Sequence, residues 1–147
     1  MTAPGVRYAF EAFAHALSGP VLHHAPGHEL ATAIEALAPP VETFRSGRDF
    51  AAWVGLTPLQ RSTGAQERLG KISRMGERTL RRLLIIGASG VVRWARRKGV
   101  PAGSWLARML ARKPPMLVIV ALANKMARIA WALIAKGGSY RAPAVAA

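Results

Sequence analysis

Residues 77–98 read ERTLRRLLIIGASGVVRWARRK, and this stretch decides the fold class. Apolar and small residues recur in it at spacings of three and four: Leu80, Leu83, Leu84, Gly87, Val91. Because arginines occupy the other faces, the spacing predicts a long amphipathic helix with Glu77 at its positive end. Residues 87–90 are small, and glycine inside a helix is costly unless another backbone packs against it. We therefore predict a tight crossing or a kink at this point.

Signals for further helices lie on the N-terminal side of this stretch. Ser46 and Asp49 form an S-x-x-D capping box, and Gly55 is placed to end the helix that they begin. Residues 30–37 are predicted as another short helix. Residues 55–76 carry no alternating apolar pattern, so we predict a loop there.

The C-terminal part of the chain is helical by the same criteria. Ser104 is placed to cap a short helix, and Pro114 and Pro115 separate it from a long helix that runs to Gly137. No stretch alternates strongly enough to predict a strand. The fold class is therefore all-α: a small helical domain with a glycine-rich loop between helices.

The whole net positive charge belongs to residues 78–147, because the seven Lys or Arg of the first 77 residues are balanced by seven acidic residues. The 147 residues carry a net charge of +14, yet all seven acidic residues lie within the first 77 positions. Nucleic acid is the default partner, because each Lys or Arg that meets a phosphate releases counterions whatever the base sequence. An anionic membrane surface is the competing partner.

Composition also indicates where in the cell the protein acts. The absence of cysteine excludes disulfides, thiolate zinc sites and a cysteine nucleophile. Residues 1–17 lack the continuous apolar core of a secretory signal. The apolar segment 116–135 carries Asn124, Lys125 and Arg128 at its centre, where each cation would cost about 2.5–3.5 kcal/mol in a bilayer. We predict a cytoplasmic protein without membrane contact, and a core helix whose polar stripe faces nucleic acid.

Hydroxyls, glycines and cations are concentrated between residues 61 and 82. A serine hydroxyl attacks either carbonyl carbon or phosphorus, and the histidines lie only among residues 15–28, without a G-x-S-x-G elbow. Phosphoryl chemistry instead requires cations and backbone amides around charged oxygens. The candidate phosphate- or DNA-binding residues are Arg61, Gly64, Arg68, Lys71, Arg74, Arg78, Arg81, Arg82, Lys125 and Arg128. On composition alone, a solvated Ser-Thr-Gly turn remains the commoner explanation.

Two blocks of sequence carry a family resemblance. Residues 44–84, FRSGRDFAAWVGLTPLQRSTGAQERLGKISRMGERTLRRLL, and residues 121–133, ALANKMARIAWAL, resemble the C-terminal domain of the DEDD-type insertion-sequence transposases, which are serine-dependent, bridge-RNA-guided recombinases. The resemblance implies a helical domain whose serine attacks DNA and forms a phosphoserine intermediate. It also implies Mg²⁺ held by a separate RuvC-like domain, a guide RNA, and a homo-oligomer on DNA, with no metal site or cofactor in this chain.

The family's serine motif falls on residues 62–64, so the resemblance implies Ser62 as the nucleophile, with Thr63 as the fallback. Ala65 stands where a second glycine is usual, and Glu77 where Asp or Asn is common.

The resemblance also divides the chain. It assigns residues 42–141 to the transposase C-terminal domain and 142–147 to a tail. Residues 1–41 are a poorly patterned N-terminal segment with an altered helix-hairpin-helix remnant near 25–38. Since no counterpart of the RuvC-like domain precedes the match, we interpret the chain as a truncated transposase.

Three hypotheses remain open at this stage. The first is a recombinase domain that uses Ser62 in DNA transposition. The second is a non-catalytic basic module of helices that binds DNA or RNA. The third is a membrane-surface protein that uses its basic helices.

Overall fold

Five α-helices and one β-hairpin make up the part of the chain that the computed structural model describes, residues 26–63 and 66–137. They follow in the order α1 (Pro26–Leu37), a 3-10 turn (Val41–Thr43), α2 (Gly47–Val54), β1 (Pro58–Thr63), β2 (Gln66–Ile72), α3 (Arg78–Lys98), α4 (Trp105–Arg112) and α5 (Pro115–Lys136). The predicted all-α class is confirmed. The N-terminal 25 residues, the predicted tail and the candidate phosphate ligand Gly64 lie outside the described residues.

The helix caps predicted from the sequence are present. The Ser46 hydroxyl accepts a hydrogen bond from the Asp49 N–H at 3.3 Å. The Ser104 hydroxyl accepts one from the Ala107 N–H at 3.1 Å. Each cap satisfies an amide that has no partner inside its own helix.

One core joins α1, α2, α3 and α5. Helix α5 packs against both α2 and α3, and α1 packs against α3. The largest fully buried side chains are Leu30, Val54, Leu56, Leu80, Leu84, Val92, Val118 and Leu122. All of these except Leu56, which lies between α2 and β1, come from the four helices, and α5 contributes Val118 and Leu122 to the shared core.

Small residues let α5 approach its two neighbours closely. Helix α3 runs without interruption through its glycine-rich centre, where Ala88 is completely buried. A Cβ added to Gly87 would lie 3.3 Å from the Met126 methyl carbon. On the other side, a Cβ added to Gly47 would lie 3.0 Å from the Arg128 carbonyl oxygen. At the centre of α3 the close neighbour of Gly87 is thus a side chain, and Gly90 has nothing within 4 Å of an added Cβ, so the close backbone contact of α5 is with Gly47 of α2.

Two paired strands replace most of the loop predicted between residues 55 and 76, and that prediction was wrong over residues 58–63 and 66–72. The antiparallel register pairs Pro58 with Ile72 and Thr63 with Gln66. The strands read PLQRST and QERLGKI, without regular alternation of apolar residues. The period-two signal arises only when one face of a strand is buried, so these sequences gave no sign of a strand.

Helix α5 is long and apolar enough to cross a membrane, by its 22 residues and its composition. In this fold it contacts α2, α3 and α4. Val118, Leu122 and Ala123 on its inner face are almost fully buried. This packing supports the interpretation of α5 as a core helix.

Candidate functional site

The hairpin is held at its base between the end of α2 and the start of α3. The Ser73 N–H donates to the Thr57 carbonyl at 3.0 Å, which closes the two strands at this end. The Glu77 N–H donates to the Trp53 carbonyl at 3.3 Å, which ties the start of α3 to the last turn of α2. We call this region, residues 53–57 and 73–77, the hairpin junction.

Two glycines allow the chain segments of the junction to touch. Gly55 has a φ of 83° and Gly76 a φ of 152°, a range that residues with side chains rarely adopt. A Cβ on Gly76 would overlap the Trp53 carbonyl oxygen, and one on Gly55 would lie 2.7 Å from Nη1 of Arg81. The backbone of the junction therefore leaves no room for a side chain at either position.

Arg81 and Glu77 add polar bonds to the junction. Arg81 Nη1 donates to the Val54 carbonyl at 3.0 Å, so this predicted phosphate ligand uses one of its five donors within the fold. The Glu77 carboxylate accepts the Leu80 N–H and caps α3. Burial opposes ionisation of Glu77, but hydrogen bonds from Leu80 and Thr79 and the charge of Arg81 together hold its pKa below the usual value.

Glu77→Ala is expected to destabilise the domain by about 1 kcal/mol at neutral pH, because α3 loses its N-terminal cap. The pKa of Glu77 is lowered by folding, so its stabilisation is present above the ordinary value of 4.5 and is lost as pH falls through the lowered pKa. Urea unfolding at pH 7 and at about pH 3 measures the difference between variant and wild type at each pH. An equal difference at both would contradict the role of the carboxylate, and Glu42→Ala, at an exposed position, is the matched control.

The predicted nucleophile lies near the end of β1. In the register of the hairpin, Ser62 is opposite Glu67 and Arg61 is opposite Arg68. Thr63, the fallback nucleophile, is the last residue of the strand. In the strand pairing, Arg61 and Arg68 are therefore one step from Ser62, and Glu67 is its pairing partner on β2.

The other candidate cations of this region lie at the opposite end of the hairpin. They are exposed, and we call them the hairpin-base cations: Lys71, Arg74, Arg78 and Arg82. A strand rises about 3.3 Å per residue, so the four steps from Pro58 to Ser62 separate the base from the serine by about 13 Å. The structure thus divides the predicted phosphate ligands into one group beside Ser62 and another at the junction.

Arg74 has a strained backbone. Its φ of 54° is positive, alone among the non-glycine residues of the described ranges. Its N–H donates to the Gly55 carbonyl at 3.3 Å, and this bond fixes the conformation. Left-handed backbone costs a non-glycine residue on the order of 1 kcal/mol or more, so the junction holds Arg74 in place against its local preference.

Lys125 and Arg128 lie apart from the hairpin, in a cleft of about 560 Å³ between α2, α4 and α5. Lys125 Nζ is 4.5 Å from the centre of the Trp105 ring. Burial and the charges of Arg128 and Arg108 lower the pKa of this lysine. Arg48, at the start of α2, lines the same cleft. Sequence reasoning missed Arg48, because no local spacing connects it to a helix 77 residues further along the chain.

Asn124 has a different role from the one predicted. The sequence placed it with Lys125 and Arg128 on a stripe that faces nucleic acid. Its Nδ2 instead donates to the Leu56 carbonyl at 3.2 Å, just before β1. The Asn124 side chain therefore hydrogen-bonds α5 to the segment that leads into the hairpin.

The described residues do not supply a metal site. Within residues 26–63 and 66–137, no group of three or more His, Asp or Glu side chains is placed to hold a metal ion. A Mg²⁺ ion of the kind that the resemblance implies does not fit the residues in this part of the chain.

Comparison with known proteins identifies the family. Residues 21–100, more than half of the chain, match the IS116/IS110/IS902 family of transposases. This chain belongs to that family. The matched residues of the IS116/IS110/IS902 family include α1, α2, the hairpin and α3, while the second block of resemblance, residues 121–133, lies beyond them.

Curated relatives support the IS116/IS110/IS902 assignment. A family 20 transposase of Pseudomonas aeruginosa is 51% identical over 111 residues, which cover 76% of this chain and 33% of the relative. The transposase of insertion sequence IS1111A from Coxiella burnetii is 36% identical over 78% of this chain and 32% of its own length. The transposase of IS1328 from Yersinia enterocolitica is 38% identical over 65% of this chain and 29% of its own length. The chain thus spans about a third of the length of these relatives.

Proposed function

We propose that this chain is a transposase domain that binds DNA and supplies a serine nucleophile for strand cleavage and rejoining. One observation carries the proposal: Ser62 lies near the end of a hairpin strand whose base is locked onto two helices, inside the residues that match the transposase family. A residue at this position lies about 13 Å along the strand from the junction, and in the proposal it is presented to a DNA strand that lies against the domain.

The proposed step is a transesterification. Ser62 Oγ attacks the phosphorus of a DNA phosphodiester, and an Oγ–P bond forms as the bond from phosphorus to one deoxyribose oxygen breaks. The serine gives up its proton and the leaving oxygen takes one up, so no oxidant or reductant is needed. The reverse attack by a hydroxyl of another strand rejoins the DNA and frees Ser62. Thr63 is the alternative nucleophile.

The two groups of cations have different roles in this proposal. In this proposal Arg61 and Arg68, the candidate cations nearest to Ser62 in the register, stabilise the charge that develops on the attacked phosphate. Neighbours along a strand leave opposite faces of the ribbon, so this role requires the long arginine side chains to reach around its end. The hairpin-base cations, about 13 Å away along the strand, bind other phosphates of the same DNA. Lys71 and Arg74 thus bind phosphates next to the attacked one and not the attacked phosphate itself.

The remaining parts of the proposal come from the family resemblance. The whole protein would hold Mg²⁺ in a RuvC-like domain. It would pair its DNA partners through a guide RNA and act as a homo-oligomer in the cytoplasm.

A second function, nucleic-acid binding without catalysis, is favoured by the exposed face of α3. Arg78, Arg82, Arg93 and Arg97 are all exposed and lie on one side of the helix, at spacings of four and eleven residues. This face extends over about 29 Å, at 1.5 Å per residue. Such a row of cations binds phosphates independently of Ser62.

Ser62→Ala is expected to abolish covalent attachment to DNA while salt-dependent DNA binding persists. The chain is incubated with labelled DNA spanning the end of its own element, Mg²⁺ and candidate guide RNA, and adducts are separated by denaturing electrophoresis. Thr63→Ala is the matched control and should keep the adduct.

An adduct that survives in Ser62→Ala and disappears in Thr63→Ala would move the nucleophile to Thr63. Salt-sensitive binding with no adduct from the wild type would show that this chain on its own acts as a non-catalytic module, and adding the RuvC-like domain of a full-length relative would then test whether Ser62 becomes active. Absence of salt-sensitive binding would contradict both functions.

A further inference from the structure

The cleft between α2, α4 and α5 has the charge of an anion-binding site. Lys125 and Arg128 enter it from α5, and Arg48 enters it from the first turn of α2. Among residues 26–63 and 66–137 no acidic side chain lines it, and α4 and α5 contain none in their sequences. The mutual repulsion of these cations is therefore left uncompensated by the residues that line the cleft.

The lowered pKa of Lys125 reflects this excess of positive charge in the cleft. Partial burial and the positive charges of Arg128 and Arg108 lower the pKa of its amine. The face of Trp105, 4.5 Å from Nζ, offers partial compensation only. An anion in the cleft would relieve this repulsion, because it brings the negative charge that the lining lacks.

Backbone amides add donors at the same place. Ser46 and Gly47 line the cleft at the start of α2. The first N–H groups of a helix have no carbonyl of a preceding turn to accept them, and the positive end of the helix dipole lies there. The Asp49 N–H is already bonded to Ser46, so the amides of Gly47 and Arg48 are the donors that remain at this end of α2. Amides at the start of a helix and cationic side chains are the usual components of a phosphate site.

The rest of the lining favours one kind of phosphate ligand. Trp105, Trp131 and Ile129 present aromatic and apolar surface beside the cations. Trp131 is fixed by its indole N–H, which donates to the Val41 carbonyl at 3.4 Å. Unpaired bases expose flat faces to such a surface, whereas the bases of a duplex are stacked inside it.

We propose that this cleft binds a backbone phosphate of single-stranded nucleic acid, at a site separate from the hairpin. The proposal rests on the proposed function in one respect, that the chain binds nucleic acid. The cleft lies at the N-terminal end of α2 and the hairpin leaves from the C-terminal end, about 12 Å along the helix. One strand could therefore be held here while another is presented to Ser62.

The test compares two double variants of equal charge. Lys125→Gln with Arg128→Gln removes two cleft cations, and Arg112→Gln with Lys113→Gln removes two exposed cations outside the cleft. Fluorescence anisotropy with a labelled oligothymidylate of about ten nucleotides gives the Kd of each protein over a series of salt concentrations. Circular dichroism and thermal melting check that both variants are folded.

The cleft variant is expected to bind roughly 25-fold more weakly at 0.1 M salt, since each phosphate contact on a single strand contributes about 0.7 to the salt slope. Its slope should fall by about 1.4, while the control variant stays near the wild type. Arg48→Gln alone should weaken binding about 5-fold on the same basis.

A pH series gives an independent readout. As the pH is raised, the affinity of the wild type should start to fall before pH 10.5, the ordinary lysine value, because the lowered pKa of Lys125 makes it lose its proton at a lower pH. The arginines that surround it, Arg48, Arg108 and Arg128, remain charged throughout this range. Lys125→Gln alone should remove this part of the pH dependence.

Each other outcome overturns a stated part of the inference. Equal affinities for the two double variants would exclude the cleft as a binding site and leave the proposed function standing. A duplex of the same length bound as tightly, and weakened as much in the cleft variant, would exclude the preference for a single strand. Anionic phosphatidylserine vesicles bound more tightly than the oligonucleotide, through the same two residues, would make a lipid headgroup the ligand. Absence of salt-dependent binding by the wild type would refute the proposed function itself.

Discussion

Gly76→Ala is expected to cost the domain at least about 4 kcal/mol of its free energy of unfolding, the range reached only by severe local conflicts. The added methyl group would overlap the Trp53 carbonyl oxygen, which is backbone and cannot turn away. The φ of 152° adds strain of its own for any residue with a Cβ. Relief requires the end of α2 to separate from the start of α3, which breaks the hairpin junction.

Urea unfolding followed by circular dichroism measures this loss, and amide exchange at Ser73 reports whether the junction opens. Gly90→Ala is the matched control. Gly90 lies within α3 with nothing within 4 Å of an added Cβ, so alanine should stabilise the domain by about 0.5–1 kcal/mol. If Gly76→Ala were as stable as the wild type, the close backbone contact in the junction would be refuted.

Leu122→Ala is expected to destabilise the domain by about 2–5 kcal/mol, because it leaves a cavity in a core that cannot fully collapse. Leu122 is 1% exposed and lies on the face of α5 that the other helices cover. Leu117→Ala, on the first turn of the same helix, is the control, since Leu117 is 51% exposed.

The free energies of unfolding of the two leucine variants test the role of α5 directly. Leu117→Ala should differ from the wild type by less than about 0.5 kcal/mol, as exposed substitutions generally do. Similar losses for both variants would contradict a helix that buries one face in a protein core. They would instead favour the membrane-surface hypothesis.

Local chemistry explains which features the sequence could predict. The caps at Ser46 and Ser104 depend on bonds between residues three positions apart, so a short window of sequence contains them entirely. The amphipathic pattern of α3 is equally local. Its small residues predicted a close neighbour, but that the neighbour of Gly87 is the Met126 side chain is visible only in the folded chain.

The features that sequence reasoning missed depend on residues far apart in the chain, or on strands that bury neither face and so lack an alternating apolar pattern. The hairpin gives no alternating pattern, and its register, which sets Ser62 opposite Glu67, is a property of pairing between strands. The cleft unites Arg48 with Lys125 across 77 positions. Asn124 was predicted to face outward because its bond to Leu56 could not be known from α5 alone.

Because the hairpin is attached at the junction, a rotation of the helices displaces Ser62 by an amount that grows with its distance from the junction. The glycines of the junction and the Arg81 bond join the strands rigidly to α2 and α3, so the strand that carries the serine turns with the helices. On an arm of about 13 Å, a rotation of about 10° moves the serine by about 2 Å. If Ser62 is the nucleophile that we propose, a tilt of this size decides whether it reaches a phosphate, because reacting atoms must come within about 3–3.5 Å of each other. The angle at which the helical body docks on its partner would then be enough to switch cleavage on or off.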